Sequence, residues 1–538
     1  DKAKEDEKKK KDEEGKVTVT IELEGLIERT TEVPLPAGAY STLRANDKAL
    51  FVVDREISYE RKRNLKAIEI KNHDIEAVTL LDGIRRYDIS RDGKKLLVRK
   101  DDDIYVIDAS TSAPSKLNKS KVNLSGWKFP VTPREEWRQL FVEAWRLERD
   151  FFYDPDLHGI DYDGLLEKHL PLVERVTDRD ELNDLIAHLV GELSALHTFV
   201  VGGDRRRGDE NISPATLGAR LTRDEKGGGY RIDHIFKTEP DYPDRFSPLA
   251  RPEVAASEGD IITAINGIPL LSVPHPAVLL KEQAGKQVLL EIKPKGAKET
   301  IRTVVTPISP YQERNLRYDE WEYTRRMIVE ELGDGDIGYV HLRAMGGGNF
   351  SEWVRNFYPV FNRKGLIIDV RHNRGGNIDS WILEKLLRKA WFYWKGRKSK
   401  PTWNMQYAFR GHMVVICDQV TASDGEAFTE GFRRLELGKV IGMRTWGGEI
   451  WLSFNTWLKD RGIASVAETG VYGPEGEWLI EGHGVDPDII VDNPPHATFK
   501  GEDAQLEAAI QHLKELIEKE PVDVPPPPKY PDKSFKYE

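Results

Sequence analysis

Two short apolar runs stand out along the chain: Gly365-Leu-Ile-Ile-Asp-Val370 and Met413-Val-Val-Ile-Cys417. Their length and β-branched content fit strands buried on both faces. Each leads into a turn and then an amphipathic stretch, from Ile378 to Ala390 in the first case and ending near Leu437 in the second. Two strand-turn-helix units in tandem predict βαβ organisation, and right-handed crossovers would bring both turns to one edge of a sheet.

The rest of the chain alternates between two periods. Thr132-Pro-Arg-Glu-Glu supplies an N-cap, a Pro at the first helical position and acidic first-turn residues, so a helix is expected through about Asp150. Helical patterns return over Tyr162–Val176 and Asp180–Leu193, and Ala504–Lys519 is a closing amphipathic helix. Short strands are expected at Val17–Leu23, Ala49–Val53, Leu65–Ile70 and Lys95–Val98, with a strand-turn-strand over 87–108. Between 218 and 307 short strands surround Glu258-Gly-Asp-Ile-Ile-Thr-Ala-Ile-Asn-Gly267, followed by a helix-like Ala277–Ala284 and a strand from Gln287.

These patterns divide the chain into a charged tail (1–16), a β-rich segment (17–109), a Ser/Pro/Lys-rich linker (110–125), a helical domain (126–215), a small β domain (216–308), an α/β core (309–519) and a Pro-rich tail (520–538). The first sixteen residues carry seven basic and seven acidic side chains, too polar for a packed core. A formal charge of −11 argues against a general nucleic-acid surface, and Arg205-Arg206-Arg207 reads as a solvated loop. No apolar run reaches a membrane span, and the single cysteine, Cys417, excludes an internal disulfide or a thiolate cluster. No metal site or cofactor is expected: there is no His-Glu-x-x-His, and the acidic residues are dispersed. The tryptophans near the core segments, among them Trp381, Trp391, Trp394, Trp446 and Trp451, read as packing, with some available to line a substrate groove.

The chemistry concentrates at the two turns. Thr421-Ala-Ser-Asp-Gly-Glu426 places Ser423 where a strand turns into a helix, beside free N–H groups and the positive end of a helix dipole. A nucleophile there gains an oxyanion site, although the same serine serves equally as an N-cap. Gly375-Gly376 in the other turn lets the backbone approach a ligand, so the N–H of Gly376 could join that of Asp424 around a carbonyl oxygen. A serine also needs a base. His197, His372 and His483 compete for that part, and Glu481 is a candidate orienting carboxylate.

The set Leu193–His197, Gly259–Gly267, Asp369–Gly376, Thr421–Gly425, Thr445-Trp-Gly-Gly448 and Glu481–Asp488, in this order over roughly Gly126–Ile517, resembles the tricorn-type branch of the C-terminal-processing-peptidase superfamily, peptidase family S41. The resemblance implies a serine peptidase acting on peptides or unfolded proteins, with Ser423 as nucleophile, His197 as base, Glu481 in the His-orienting relay and the N–H groups of Gly376 and Asp424 as oxyanion donors. It implies a multidomain α+β fold: an α/β core of the ClpP/crotonase type, a helical domain, an inserted PDZ domain over 216–308 and the end of a β-propeller over 17–109. Homo-oligomerisation and a cytoplasmic location follow as expectations. A periplasmic or secreted location stays open, since the chain starts at Asp1 without Met. The processing peptidases use a Lys base where this chain has Gly448, which favours a Ser-His mechanism. Tricorn enzymes can place a Ser before the catalytic His where this chain has Leu196, so Glu481 is expected to reach His197 directly or through water, or with help from Thr198. The alternative is a non-catalytic PDZ-bearing peptide-binding scaffold, with an esterase-like hydrolase as a third reading.

Overall fold

The computed structural model describes residues 22–57, 61–205, 208, 212–452 and 456–535. The charged tail 1–16, most of the strand expected at Val17–Leu23, and Arg206 and Arg207 lie outside the described residues. The chain forms two units, 1–130 and 131–538. In the first, the strands Ala39–Ala45, Ala49–Arg55, Arg63–Glu69 and Ala77–Leu81 form an antiparallel sheet in chain order, and Ile84–Ile89, Lys95–Lys100 and Asp103–Asp108 form a second. Their inner residues, including Phe51, Leu65, Leu96 and Val98, share one core. No closed ring of sheets is present among the described residues.

The second unit holds the helical, small β and α/β parts. Helices Pro133–Phe151, Tyr162–Val173 and Arg179–Gly191 begin where their sequence signals place them: the Asp161 and Asp178 side chains accept first-turn N–H groups. Their apolar faces do not close a core alone. Ile450, Leu458, Ala464, Val466 and Ala467, from a distant part of the chain, complete it beside Leu140, Phe141, Leu182 and Ile186. The strand Val200–Gly202 pairs antiparallel with Gly462–Ala464, and a buried ion pair joins Arg179 to Asp460 at 2.6 Å.

In the small β domain the strand order is Ile301–Val305, Val288–Lys293, Ile261–Ile265, Gly229–Ile235, Ala219–Asp224, with Ile268–Pro269 hairpinned onto Ile261–Ile265. Ala219–Asp224 is an edge strand bordering a groove of about 780 Å³. The helix expected over Ala277–Ala284 is absent. Only a single 3-10 turn, Pro276–Val278, forms, because the backbone beyond it is engaged elsewhere: Ala215 N–H donates to Leu280 O and Glu282 N–H to Ser213 O. Tertiary pairing overrides local helical pattern here.

The α/β core is a five-stranded parallel sheet in the order Ile337–His341, Gly365–Asp369, His412–Cys417, Lys439–Gly442, Ile489–Ile490. One face is covered by Gly347–Phe357, Asp379–Leu386 and Asp424–Arg434, which bury Trp353, Ile382 and Phe428. The other is covered by Pro310–Leu332 and Ala504–Lys519 through Val329, Leu506 and Leu513. Double coverage explains the unbroken apolar runs. Asp379–Leu386 is shorter than the pattern over Ile378–Ala390 predicts; the chain leaves it to form the strand pair Tyr393–Trp394 with Thr402–Trp403. Among the described residues no helix is long and apolar enough to cross a membrane.

Candidate active site

In register, Asp369 lies opposite Ile416, so the strands Gly365–Asp369 and His412–Cys417 end level and release their turns side by side. Ser423 follows the second strand at φ 56°, ψ −131°, an unfavourable conformation for a residue with a Cβ, and directly precedes the helix Asp424–Arg434. Its side chain makes no cap hydrogen bond, so the hydroxyl is not consumed in starting the helix. Glu426, three residues on, instead accepts the Ser423 N–H at 3.0 Å.

The first turn is fitted to the second. A Cβ at Gly375 would stand 2.5 Å from Ser423 Cβ and 2.8 Å from its Oγ, so only glycine admits the serine here. At Gly376 (φ +155°) a Cβ would fall 2.0 Å from Met345 O. Asn373 ties the turns together: its Nδ2 donates to Leu342 O (2.6 Å), its Oδ1 accepts Gly375 N–H (2.8 Å), and its carbonyl accepts Ala422 N–H (3.0 Å). Neither the Gly376 N–H nor the Asp424 N–H has a protein acceptor among the described residues. The Asp424 carboxylate turns the opposite way, accepting the N–H groups of Ile378 (2.6 Å) and Asp379 (3.2 Å); burial raises its pKa to about 7.

Beneath the first turn, Arg371 is almost fully buried between Asp369 (2.7 Å) and Asp503 (2.7 Å), and the Tyr339 hydroxyl also donates to Asp369 (2.9 Å). Burial alone would raise the Asp369 pKa, but the guanidinium reverses this and holds it at about 2.

His197 lies in a loop six residues beyond the end of Arg179–Gly191 and is 8 % exposed. Its Nδ1 is 2.7 Å from Ile450 O. A carbonyl can only accept, so Nδ1 carries the proton and Nε2 keeps its lone pair, as a general base requires. Burial pushes the imidazole pKa below its ordinary value, opposed by the Ile450 carbonyl and the charge of Glu481. Among the described residues no hydrogen bond joins Glu481 to the ring. Its Oε1 accepts Leu196 N–H (2.7 Å), and its Oε2 accepts the N–H groups of Glu449 (2.7 Å) and Ile450 (3.1 Å). The Leu196 position therefore meets Glu481 through its main chain. Thr198 Oγ1 donates to Ala195 O at 3.4 Å.

No hydrogen bond joins Ser423 Oγ to His197 among the described residues; the two meet through the segment 445–450. Trp446 N–H donates to Thr421 O (3.0 Å) while its indole stands edge-on to the His197 ring at 6.0 Å. The other two histidines are engaged elsewhere. His372 pairs with Asp418 (3.0 Å) against Trp321, and His483 pairs with Asp486 (2.6 Å) at the surface.

Sequence reasoning missed three contributors. Glu426 was signalled by the Ser-x-x-Glu spacing of a capping box. Asn373 carried only the turn preference of its residue type. Ile450 acts through its carbonyl, for which no side-chain signal exists.

Comparison with known proteins follows the same plan. The tricorn protease C1 domain model matches residues 133–191, the tricorn protease PDZ domain model 215–309, and the peptidase family S41 model 336–491. Tricorn protease homolog 1 of Streptomyces coelicolor is 33% identical over 527 residues, covering 95% of this chain and 48% of that protein. The tricorn protease homolog of Saccharolobus solfataricus is 30% identical over 505 residues, covering 92% of this chain and 46% of the other. The crystal structure of the tricorn protease superposes with a TM-score of 0.82 at 25% identity, over 91% of this chain and 48% of that one. The chain thus spans about half the length of the curated relatives it matches. Carrying the C1, PDZ and S41 segments in that order on a tricorn-like fold, it belongs to the tricorn-type peptidases of family S41.

Proposed function

We propose that this chain is a serine peptidase that hydrolyses peptide bonds of peptides or unfolded proteins through Ser423 and His197. The observation that carries the reading is the His197 tautomer: with Nδ1–H committed to Ile450 O, Nε2 is left to accept a proton. As Ser423 Oγ bonds to the substrate carbonyl carbon, Nε2 takes the hydroxyl proton, and the carbonyl oxygen gains its negative charge beside the free N–H groups of Gly376 and Asp424. The C–N bond then breaks, His197 returns the proton to the leaving amine, and a water activated by the same Nε2 cleaves the acyl ester. Glu481 completes the relay through the main chain of Leu196 and Ile450.

The parallel core is read as a ClpP/crotonase-type sheet, and the β-rich segment that contains the strands of 39–108 as the end of a β-propeller. The domain boundaries at 126–215, 216–308 and 309–519 serve this chemistry, with the base supplied by the helical part and the nucleophile by the core. The open edge of Ala219–Asp224 offers an extended substrate segment a strand to pair with. Homo-oligomeric assembly and a cytoplasmic location complete the proposal.

Ser423→Ala should remove peptide hydrolysis by at least about 10⁴-fold while the protein stays folded. Undiminished hydrolysis would refute the assignment. The scaffold alternative predicts peptide binding without covalent labelling of Ser423 by a fluorophosphonate.

A further inference from the structure

Segment 445–450 touches both ends of the site, and its main chain is fixed residue by residue. Thr445 N–H donates to Val485 O (3.2 Å) and Trp446 N–H to Thr421 O (3.0 Å). The next two N–H groups, of Gly447 (2.7 Å) and Gly448 (3.0 Å), go to Glu426, and the two after that, of Glu449 (2.7 Å) and Ile450 (3.1 Å), go to Glu481. Glu426 is fully buried and also accepts the Thr445 hydroxyl and the Ser423 N–H (3.0 Å). A carboxylate in the first turn of the nucleophile helix thus grips both the nucleophile's own residue and the loop whose last carbonyl orients the base.

We infer that Glu426 is a positioning residue that sets the spacing of nucleophile and base, using the 445–450 main chain as the spacer between Ser423 and His197. The inference rests on the assignment of those two residues proposed above. Four donors converge on two carboxylate oxygens, so both oxygens must be acceptors. A glutamine offers one acceptor oxygen and turns an NH₂ group toward N–H donors, so the isosteric change breaks half of the grip without altering its volume. The nucleophile, base and oxyanion donors are all still present, and only their mutual placement changes. Misplacement on the ångström scale costs the chemical step far more than it costs binding.

The test is the acylation of Ser423 by a rhodamine fluorophosphonate, resolved into the maximal rate kinact and the half-saturating concentration KI, with thermal melting to verify folding. For Glu426→Gln, kinact should fall about 100-fold, with KI within about threefold of the parent. If Glu426→Gln does not fold, Thr445 carries the test. Thr445→Val removes one of the four bonds and should lower kinact about tenfold, and Thr445→Ser, which keeps the hydroxyl, should recover most of that loss. A folded Glu426→Gln protein, or failing that Thr445→Val, acylated at the parent's kinact overturns the positioning role and leaves the Ser423–His197 assignment standing. Unchanged labelling of Ser423→Ala would instead overturn that assignment, and with it this inference.

Discussion

The two halves of the site are held in place by different physics. Ser423 is fixed by its own neighbourhood: adjacent parallel strands in register, the Asn373 ties, and a buried Asp369–Arg371–Asp503 cluster in which every charge has a partner. His197 is fixed from a distance. Its loop depends on Ile450, Glu481 and Ser465, more than 250 positions away, and on the Arg179–Asp460 pair that docks the helices. The side proposed to carry the nucleophile is thus tied into the core sheet itself, whereas the side proposed to carry the base is held by long-range docking contacts.

The largest effect should come from breaking the nucleophile side. Arg371→Met strands two buried carboxylates and should destabilise the protein by about 3–5 kcal/mol in urea unfolding. A loss below about 1 kcal/mol would show that the turn does not depend on charge compensation. Next is the base side. Glu481→Gln leaves one acceptor oxygen for three N–H donors and should lower kcat about 30-fold with the unfolding midpoint of the core nearly unchanged. Equal damage to kcat and core stability would erase the distinction between the two sides.

Glu449 sharpens the comparison, because it sits where the halves meet and lacks what Asp369 has. It is 2 % exposed, its Oε2 has no partner among the described residues, and burial with the nearby charges of Glu426, Asp424 and Asp379 raises its pKa to about 9. Because the folded value lies above the ordinary 4.5, folding takes up a proton, and the stability this gives is full below about pH 4.5 and is lost as pH rises toward 9. Glu449→Gln keeps the neutral form at every pH. It should be near neutral in effect at pH 4.5 and stabilising by about 1–3 kcal/mol at pH 8, read as the difference between two urea-unfolding series. A pH-independent difference would show that the carboxyl is ionised and paired. The smallest effect belongs to Leu196→Ala: the Glu481 contact uses the main-chain N–H and the side chain is 45 % exposed, so kcat should change less than about threefold.

Much of this was legible in the residues because it depends on local pattern. Unbroken apolar runs announced the doubly covered strands, Thr132-Pro133 and Ala504–Lys519 announced helices that form as expected, and Thr421–Glu426 announced the strand-to-helix turn that Ser423 occupies. Where pattern and structure part, backbone pairing at long range is the cause. Residues 277–284 carry a helical pattern, yet their main chain pairs with 213–215. The pattern places the helical domain at 126–215, yet its core is closed by Ile450, Leu458, Ala464, Val466 and Ala467. Glu481, expected to reach His197 directly or through water, instead accepts the main-chain N–H groups of Leu196, Glu449 and Ile450.

The sequence by itself determined which elements form and which side chains could do chemistry, because hydrophobic period, capping and residue type are properties of neighbours along the chain. Only the tertiary structure decided that Ile450 O selects the His197 tautomer and that one loop spans from Ser423 to His197. Those roles belong to main-chain carbonyls and N–H groups, which every residue carries and no residue name reveals.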